Sequence, residues 1–283
     1  MAGCARSHRL VSHCPGTRGR IIEDMASLAP APTAASTETP IVYGTSRRRD
    51  WKSAYAALRK LLADSDDTHQ AFLIMRALNA DTPARQYRKL LETPGGGRIA
   101  YRRTELSERF SEPGILASFK TGTVGAAYRE FLGRTGYTAM GLADVSGAQE
   151  RQDELEHPYG WFGRRERDVH DIWHVLTGYY ADEPLGEACL IAFSYAQTDG
   201  LGWAVISGGG ALKSLRVTGE TAFFKAVWEG YRNGKRARWL SGEDYEQLLH
   251  EQLDAARRRL RIPAPYRYLQ ARERLAEQGL TGL

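Results

Sequence analysis

The sequence predicts an all-α protein, a single compact multi-helix domain with a disordered N-terminal tail. Apolar residues recur at helical spacing in segment after segment, and no alternating series is long enough to build a sheet. Composition agrees: hydrophobic residues are 42% and charged residues 26% of the 283, which sets aside whole-chain disorder, collagen and coiled coil. A spanning helix needs about 18 or more apolar residues in a row. The nearest candidate, Glu187 to Ser207, is interrupted by Gln197, Asp199, Gly200 and Gly202, and reads as a buried helix followed by a turn-rich segment.

Taken in order, residues 1–45 stand apart. Arg6, Arg9, Arg18 and Arg20 precede the first acid, Glu23, and Leu28 to Pro40 is rich in Ala, Pro, Thr and Ser. This start resembles a transit peptide but lacks an amphipathic helix, so a disordered or spurious extension is expected, with the folded domain over 46–283. A first helix should present Trp51, Ala54, Leu58, Leu61 and Leu62 on one face, and a second should follow Asp66 as N-cap and carry Phe72, Met75 and Leu78. Asn79, Asp81 and Pro83 then stop it. A short helix over Gln86 to Leu91 ends at Pro94 and Gly95 to Gly97, and Arg98 to Arg103 reads as extended. Further helices are expected at 124–133, 165–180, 185–197, 216–233 and 242–260, the last closed by Pro263 and Pro265. Cys4, Cys14 and Cys189 make no disulfide framework, so a reducing compartment is the default.

Lys and Arg number 39 against 34 Asp and Glu, and only 7 of the cations are Lys. This permits an anionic partner without demanding one, and nothing points to nucleic acid. GC-rich coding explains the Arg excess at least as well as phosphate recognition does. The surplus is nevertheless localised: Arg232 to Arg274 holds eleven cations and six acids, on segments suited to an anionic membrane face or an acidic partner.

The chemistry concentrates in His170-Asp171-Ile172-Trp173-His174. On a helix, residues 170 and 174 lie about 40° apart and 171 about 100° from 170, so all three project into one sector that a divalent cation can touch. A fourth ligand must come from elsewhere; Glu187, opening the next apolar helix, is the best placed, with Glu183 and Asp182 nearer in sequence. The flanking Val169, Ile172, Trp173, Val175 and Leu176 would bury the imidazoles, at a cost that a metal relieves. Nitrogen and carboxylate ligands suit zinc in a closed site and also the two-His, one-carboxylate arrangement of ferrous iron. A zincin would carry a Glu where Asp171 stands. An HD-type phosphohydrolase would have to recruit His69 and Asp199, and the Gly208 to Gly210 run offers no phosphate-binding Lys-Ser/Thr pair.

Several ordered blocks resemble one family. Asp168 to Gly178, followed by Leu185-Gly186-Glu187 and an apolar helix ending near Gln197, is similar to the central motif of the ubiquinone (coenzyme Q) biosynthesis protein Coq-four family. Gly122, Gly125, Tyr128 and Phe131 match its upstream block, Tyr231 to Ala237 its basic block, and Tyr245 to Pro265 its closing segment. Twelve residues separate His174 from Glu187, one more than is usual in the family. Leu185-Gly186-Glu187 keeps its place, so Glu187 is assigned and Glu183 stays as the alternative. The resemblance implies an all-helical protein with His170, Asp171, His174 and Glu187 as metal-binding and catalytic residues. Its metal would be divalent, zinc first, with iron, manganese or cobalt as alternatives.

The implied reaction is removal of the carboxyl group at ring carbon one of a polyprenylated hydroxybenzoate, by an oxidative or a simple decarboxylation. The implied partners are that ubiquinone precursor, other ubiquinone-biosynthesis enzymes, a membrane surface and a second copy in a homodimer. Peripheral association is expected, on the cytoplasmic face of the inner membrane in a bacterium or the matrix side in a mitochondrion. A non-catalytic prenyl-lipid-binding scaffold is the competing role. Cys189, Leu190, Ile191, Phe193, Tyr195, Trp203, Val205, Ile206, Phe223, Phe224, Val227 and Trp228 would line a prenyl tunnel, or simply form core.

Overall fold

Asp50 starts the first helix, its carboxylate accepting a hydrogen bond from the Ser53 amide at 3.0 Å. The computed structural model describes residues 48–64, 67–147, 157–218 and 221–277; the expected tail and Asp66 lie outside them. Successive helices are α1 (Trp51–Ala63), α2 (Thr68–Leu78), α3 (Thr82–Leu91), α4 (Gly96–Arg102), α5 (Leu106–Ser111), α6 (Ile115–Ser118), α7 (Val124–Thr135) and α8 (Gly141–Gly147). They continue as α9 (Pro158–Asp168), α10 (His170–Thr177), α11 (Pro184–Thr198), α12 (Leu201–Thr218), α13 (Ala222–Arg236), α14 (Tyr245–Leu248), α15 (Leu253–Arg259) and α16 (Tyr266–Glu277). A short 3₁₀ turn, Leu240–Gly242, precedes α14. No strand occurs among the described residues, so the all-α expectation holds.

The main core gathers Tyr128, Ile172, Trp173, Phe193, Phe223, Tyr245 and Tyr268 from α7, α10, α11, α13, α14 and α16. Two smaller clusters join it, one under α1, α2 and α12 around Ile74, Leu78 and Ile206, the other around Leu90, Trp161 and Phe162. α11 is buried along almost its whole length. α13 reaches it through two glycines: a Cβ on Gly230 would sit 2.4 Å from the Cys189 carbonyl oxygen, and one on Gly234 2.6 Å from that of Phe193. The expected tunnel residues Cys189, Leu190, Phe193, Phe223 and Val227 are core, whereas Phe224 and Trp228 face outward.

Several expectations need correction. Trp51 is exposed, and α1 buries Ala54 and Ala57 instead. Of residues 98–103, expected as extended, 98–102 are helical in α4 and Arg103 is its left-handed cap: left-handed Gly95 (φ +83°) turns the chain, and Gly96 tucks against the Leu90 carbonyl where no Cβ would fit. The single helix expected over 165–180 is two, α9 and α10, meeting at Val169. The segment read as turn-rich after residue 200 is helix α12, which runs through Gly208 to Gly210 to Thr218, so the helix expected at 216–233 begins instead at Ala222. Gly202 is needed there because a Cβ would stand 2.8 Å from the Met75 Cα, while at Gly209 it would press on the Leu58 side chain at 3.1 Å. Residues 242–260 hold two short helices instead of one. Pro265 closes nothing; α16 starts directly after it, as proline at a helix entrance allows.

Candidate metal centre

Helix α10 is short, so its ends decide what its histidines do. Val169 separates it from α9, and Gly178, left-handed at φ +80°, ends it by returning its amide to the His174 carbonyl at 2.9 Å. Arg257 caps the same end, donating to the carbonyl oxygens of Leu176 and Val175 at 3.0 Å each. The chain then crosses to α11, where Pro184 sets the first turn and Gly186 lies so close to Tyr180 that a Cβ would stand 2.0 Å from its carbonyl oxygen. This contact fixes the start of α11 and with it Glu187.

His170, His174 and Glu187 come together, their potential ligand atoms all within 4.8 Å of one another. Nε2 of His174 is 3.0 Å from Oε2 of Glu187, and Nε2 of His170 is 3.4 Å from Oε1. The other ring nitrogens are also occupied: Nδ1 of His174 lies 2.9 Å from the Tyr179 carbonyl oxygen and Nδ1 of His170 3.5 Å from Oδ1 of Asp171. Asp171 is thus placed behind His170, outside the three-residue cluster. Phe131 stacks on the His174 ring at 5.9 Å and Trp203 on the His170 ring at 6.2 Å. His174 is almost fully buried, while 37% of the Glu187 side chain is exposed.

The donor set fits a cation. A neutral imidazole has one N–H, yet each of these rings faces oxygen acceptors with both nitrogens. Two neutral rings therefore leave two of the four acceptor contacts without a proton. Either extra protons or a cation between the Nε2 atoms and Glu187 must fill that deficit. Ligands at about 2.0–2.2 Å in a tetrahedron stand roughly 3.4 Å apart, close to the two histidine–carboxylate distances of 3.0 and 3.4 Å. An outer oxygen on the second nitrogen of each His is the arrangement that orients metal-binding imidazoles. Without a cation, burial pulls the His170 pKa down, but Glu187 and Asp171 more than offset it and raise it to about 10. Burial likewise opposes the Glu187 charge, and the two histidines overcome it, holding that carboxyl well below the usual range.

The alternatives weighed from sequence fall elsewhere. Glu183 is held by the Tyr268 hydroxyl and by Arg272 Nε at 2.9 Å. His69 is exposed on α2, and Asp199 pairs with Lys235 at 3.3 Å. Two residues not assigned a role from sequence frame the centre. Phe131 forms its wall, and Tyr128 is kept neutral by burial and by the charges of Asp171 and Asp168. Both belong to the upstream glycine-containing block, which is the signal that could have found them.

Residues 74–265 match the sequence model of a family described as "Coenzyme Q (ubiquinone) biosynthesis protein Coq4". "Ubiquinone biosynthesis protein coq-4, mitochondrial" from Neurospora crassa is 29% identical over 191 residues, covering 67% of this chain and 52% of that protein. The Podospora anserina protein of the corresponding name is 30% identical over 194 residues, covering 65% and 60%. The chain thus spans little more than half the length of these curated relatives. A crystal structure of a Nostoc punctiforme protein shares the fold, with TM-score 0.53 at 20% identity, covering 76% of this chain and 100% of that one. The family match extends over both histidines, Glu187 and the helices that carry them, and the chain belongs to the coenzyme Q (ubiquinone) biosynthesis protein Coq4 family.

Proposed function

We propose that the protein acts in ubiquinone biosynthesis as a metal-dependent carbon–carbon lyase, removing the carboxyl group at ring carbon one of a polyprenylated hydroxybenzoate. One observation carries this reading: two imidazoles fixed by oxygens at Nδ1 turn both Nε2 atoms onto one partly exposed carboxylate. His170, His174 and Glu187 would hold a divalent cation, which supplies Lewis-acid polarisation of an oxygen beside the ring carbon that loses CO2.

The remaining work belongs to the chain's own groups. Asp171 and the Tyr179 carbonyl keep the Nδ1 protons in place, so each Nε2 lone pair stays available. Phe131 and Trp203 exclude water from the imidazole faces and keep their surroundings apolar. Glu187, the most exposed of the three and the one on a separate helix, is the ligand able to move when substrate approaches. His174→Ala should abolish both metal content and conversion of the carboxylated precursor.

A scaffold role is the second reading, favoured by the depth of His174, whose side chain is 1% exposed. A metal there would be structural. Loss of all late quinone intermediates alike in Glu187→Ala, with no carboxylated precursor in excess, would select it. Peripheral membrane association belongs to both readings, in keeping with the mitochondrial names of the fungal relatives. No helix among the described residues is long and apolar enough to cross a membrane.

A further inference from the structure

Away from the metal centre, a cavity of about 260 Å³ opens between α13 and the start of α16, lined by Lys225, Trp228, Glu229, Arg232, Arg236 and Arg267, with Asn233 at its floor. Four of these residues are cations. Among the described residues none of the four has a carboxylate partner, although cations nearby do: Lys235 pairs with Asp199, Arg259 with Glu243 and Glu251, and Arg272 with Glu183. The one acid of the cavity is already engaged, since Glu229 accepts hydrogen bonds from the amides of Arg267 at 2.7 Å and Tyr268 at 3.4 Å. Arg232, Arg236 and Arg267, from the basic segment after the metal motif, thus meet Lys225 at this cavity without a carboxylate partner among the described residues, whereas Lys235, Arg259 and Arg272 are paired.

The outer face of α13 adds a second feature. At 100° per residue, Phe224, Trp228, Arg232, Lys225 and Arg236 fall within an arc of about 120°. Phe224 is 52% and Trp228 54% exposed. Trp228 is propped outward on Tyr231, which stacks in turn on Tyr195, with ring centroids 5.3 and 5.7 Å apart. The opposite arc, with Phe223, Ala226, Val227, Gly230 and Gly234, is buried against α11. Exposed aromatics beside unpaired cations on one face of an amphipathic helix match an interface of headgroup phosphates above acyl chains: the rings enter the boundary and the cations meet the phosphates.

We infer that α13 lies flat on an anionic phospholipid surface, with the cavity of Lys225, Arg232, Arg236 and Arg267 receiving a lipid phosphate and Phe224 and Trp228 entering the interface. Because α13 packs directly on α11, this docking sets the lipid surface one helix packing distance plus a helix radius, roughly 13–16 Å, from the axis of the helix that carries Glu187. The inference stands apart from the decarboxylation reading, because it requires neither metal nor quinone.

Sedimentation of the full chain with phosphatidylcholine vesicles, with and without phosphatidylglycerol, tests it. Binding should require the anionic lipid and weaken with salt. Arg232→Glu/Arg236→Glu should reduce it by at least about tenfold. Arg258→Glu/Arg274→Glu, an equal charge change away from the cavity, should reduce it much less. Anionic vesicles should shift the fluorescence of the wild type to the blue, and the shift should shrink in Trp228→Phe. Thermal melts establish that each variant is folded. Equal binding to neutral vesicles, or equal losses in the two reversal pairs, would overturn the site. A folded protein that ignores vesicles would also overturn it, leaving an acidic protein surface as the partner. So would a fluorescence response to inorganic phosphate without vesicle binding, which would make the cavity a site for free phosphate.

Discussion

The Nε2 atom of His174 stands 3.0 Å from Oε2 of Glu187, across the turn that joins two successive helices. That approach depends on the tight turn from Gly178 to Gly186, so ligand geometry and local backbone fold are one problem. His174→Ala should therefore lose divalent-metal binding altogether. It should also lower the stability of the metal-free protein by about 1–3 kcal/mol, through the unsatisfied Tyr179 carbonyl and Glu187 carboxylate left behind. Metal analysis and urea denaturation check the two effects separately.

Asp171 provides a finer test. Because its carboxylate faces Nδ1 of His170, Asp171→Asn should keep the metal but weaken its binding by about 10–100-fold, the usual effect of changing an outer hydrogen-bond partner. Competition titration against a chelator measures this. Complete loss of metal would show that the carboxylate is itself a ligand.

Glu183 and Glu187 should separate cleanly. Glu183→Gln weakens the contacts to Tyr268 and Arg272 that pin α16 to the start of α11, a loss of about 1 kcal/mol or somewhat more. It should leave metal stoichiometry at the wild-type level. Glu187→Gln should do the reverse, sparing the melting temperature of the metal-free protein more than the metal. Loss of metal in Glu183→Gln would exchange the two assignments.

Acidity should control metal uptake. In the metal-free protein the His170 pKa, lowered by burial but raised more by Glu187 and Asp171, stands at about 10, above the unfolded value of about 6.5. Its protonated form stabilises the fold fully below about pH 6.5, and that contribution disappears as pH rises through about 10. Glu187 is shifted the other way, so its contribution is present above about pH 4.5 and is lost on acidification through its lowered folded value. Binding a cation must displace the His170 proton, so affinity should climb about tenfold per pH unit between pH 6.5 and 8.5. Calorimetric titration in buffers of different ionisation enthalpy should register the released proton.

How much of this was legible in the sequence follows from what local patterns carry. His170 and His174 could be placed on one helix face because the i, i+4 spacing fixes their relation in any helix. Glu187 was found from its position at the opening of an apolar helix. Spacing alone could not show which side of the His170 ring Asp171 would occupy, since that depends on side-chain rotamers. Glycines misled the reading in both directions. Gly200 and Gly202 suggest a turn-rich segment, but Gly202 lies inside α12, where it lets that helix approach Met75. Gly230 and Gly234 gave no local signal, yet they let α13 reach the α11 backbone. Gly230→Ala should cost about 1–3 kcal/mol for the overpacking, measurable by chemical denaturation. The break at Val169 had no composition to announce it; it arises where α9 and α10 take different packing partners.

The most direct measurement is the quantity of each quinone intermediate in a strain lacking the native gene and supplied with either this protein or its Glu187→Ala variant, at matched protein levels. Metal-dependent decarboxylation predicts that the wild type restores ubiquinone, while the variant accumulates the polyprenylated precursor that still bears its carboxyl group. Equal depletion of all late intermediates in the variant, with no carboxylated precursor in excess, would contradict it.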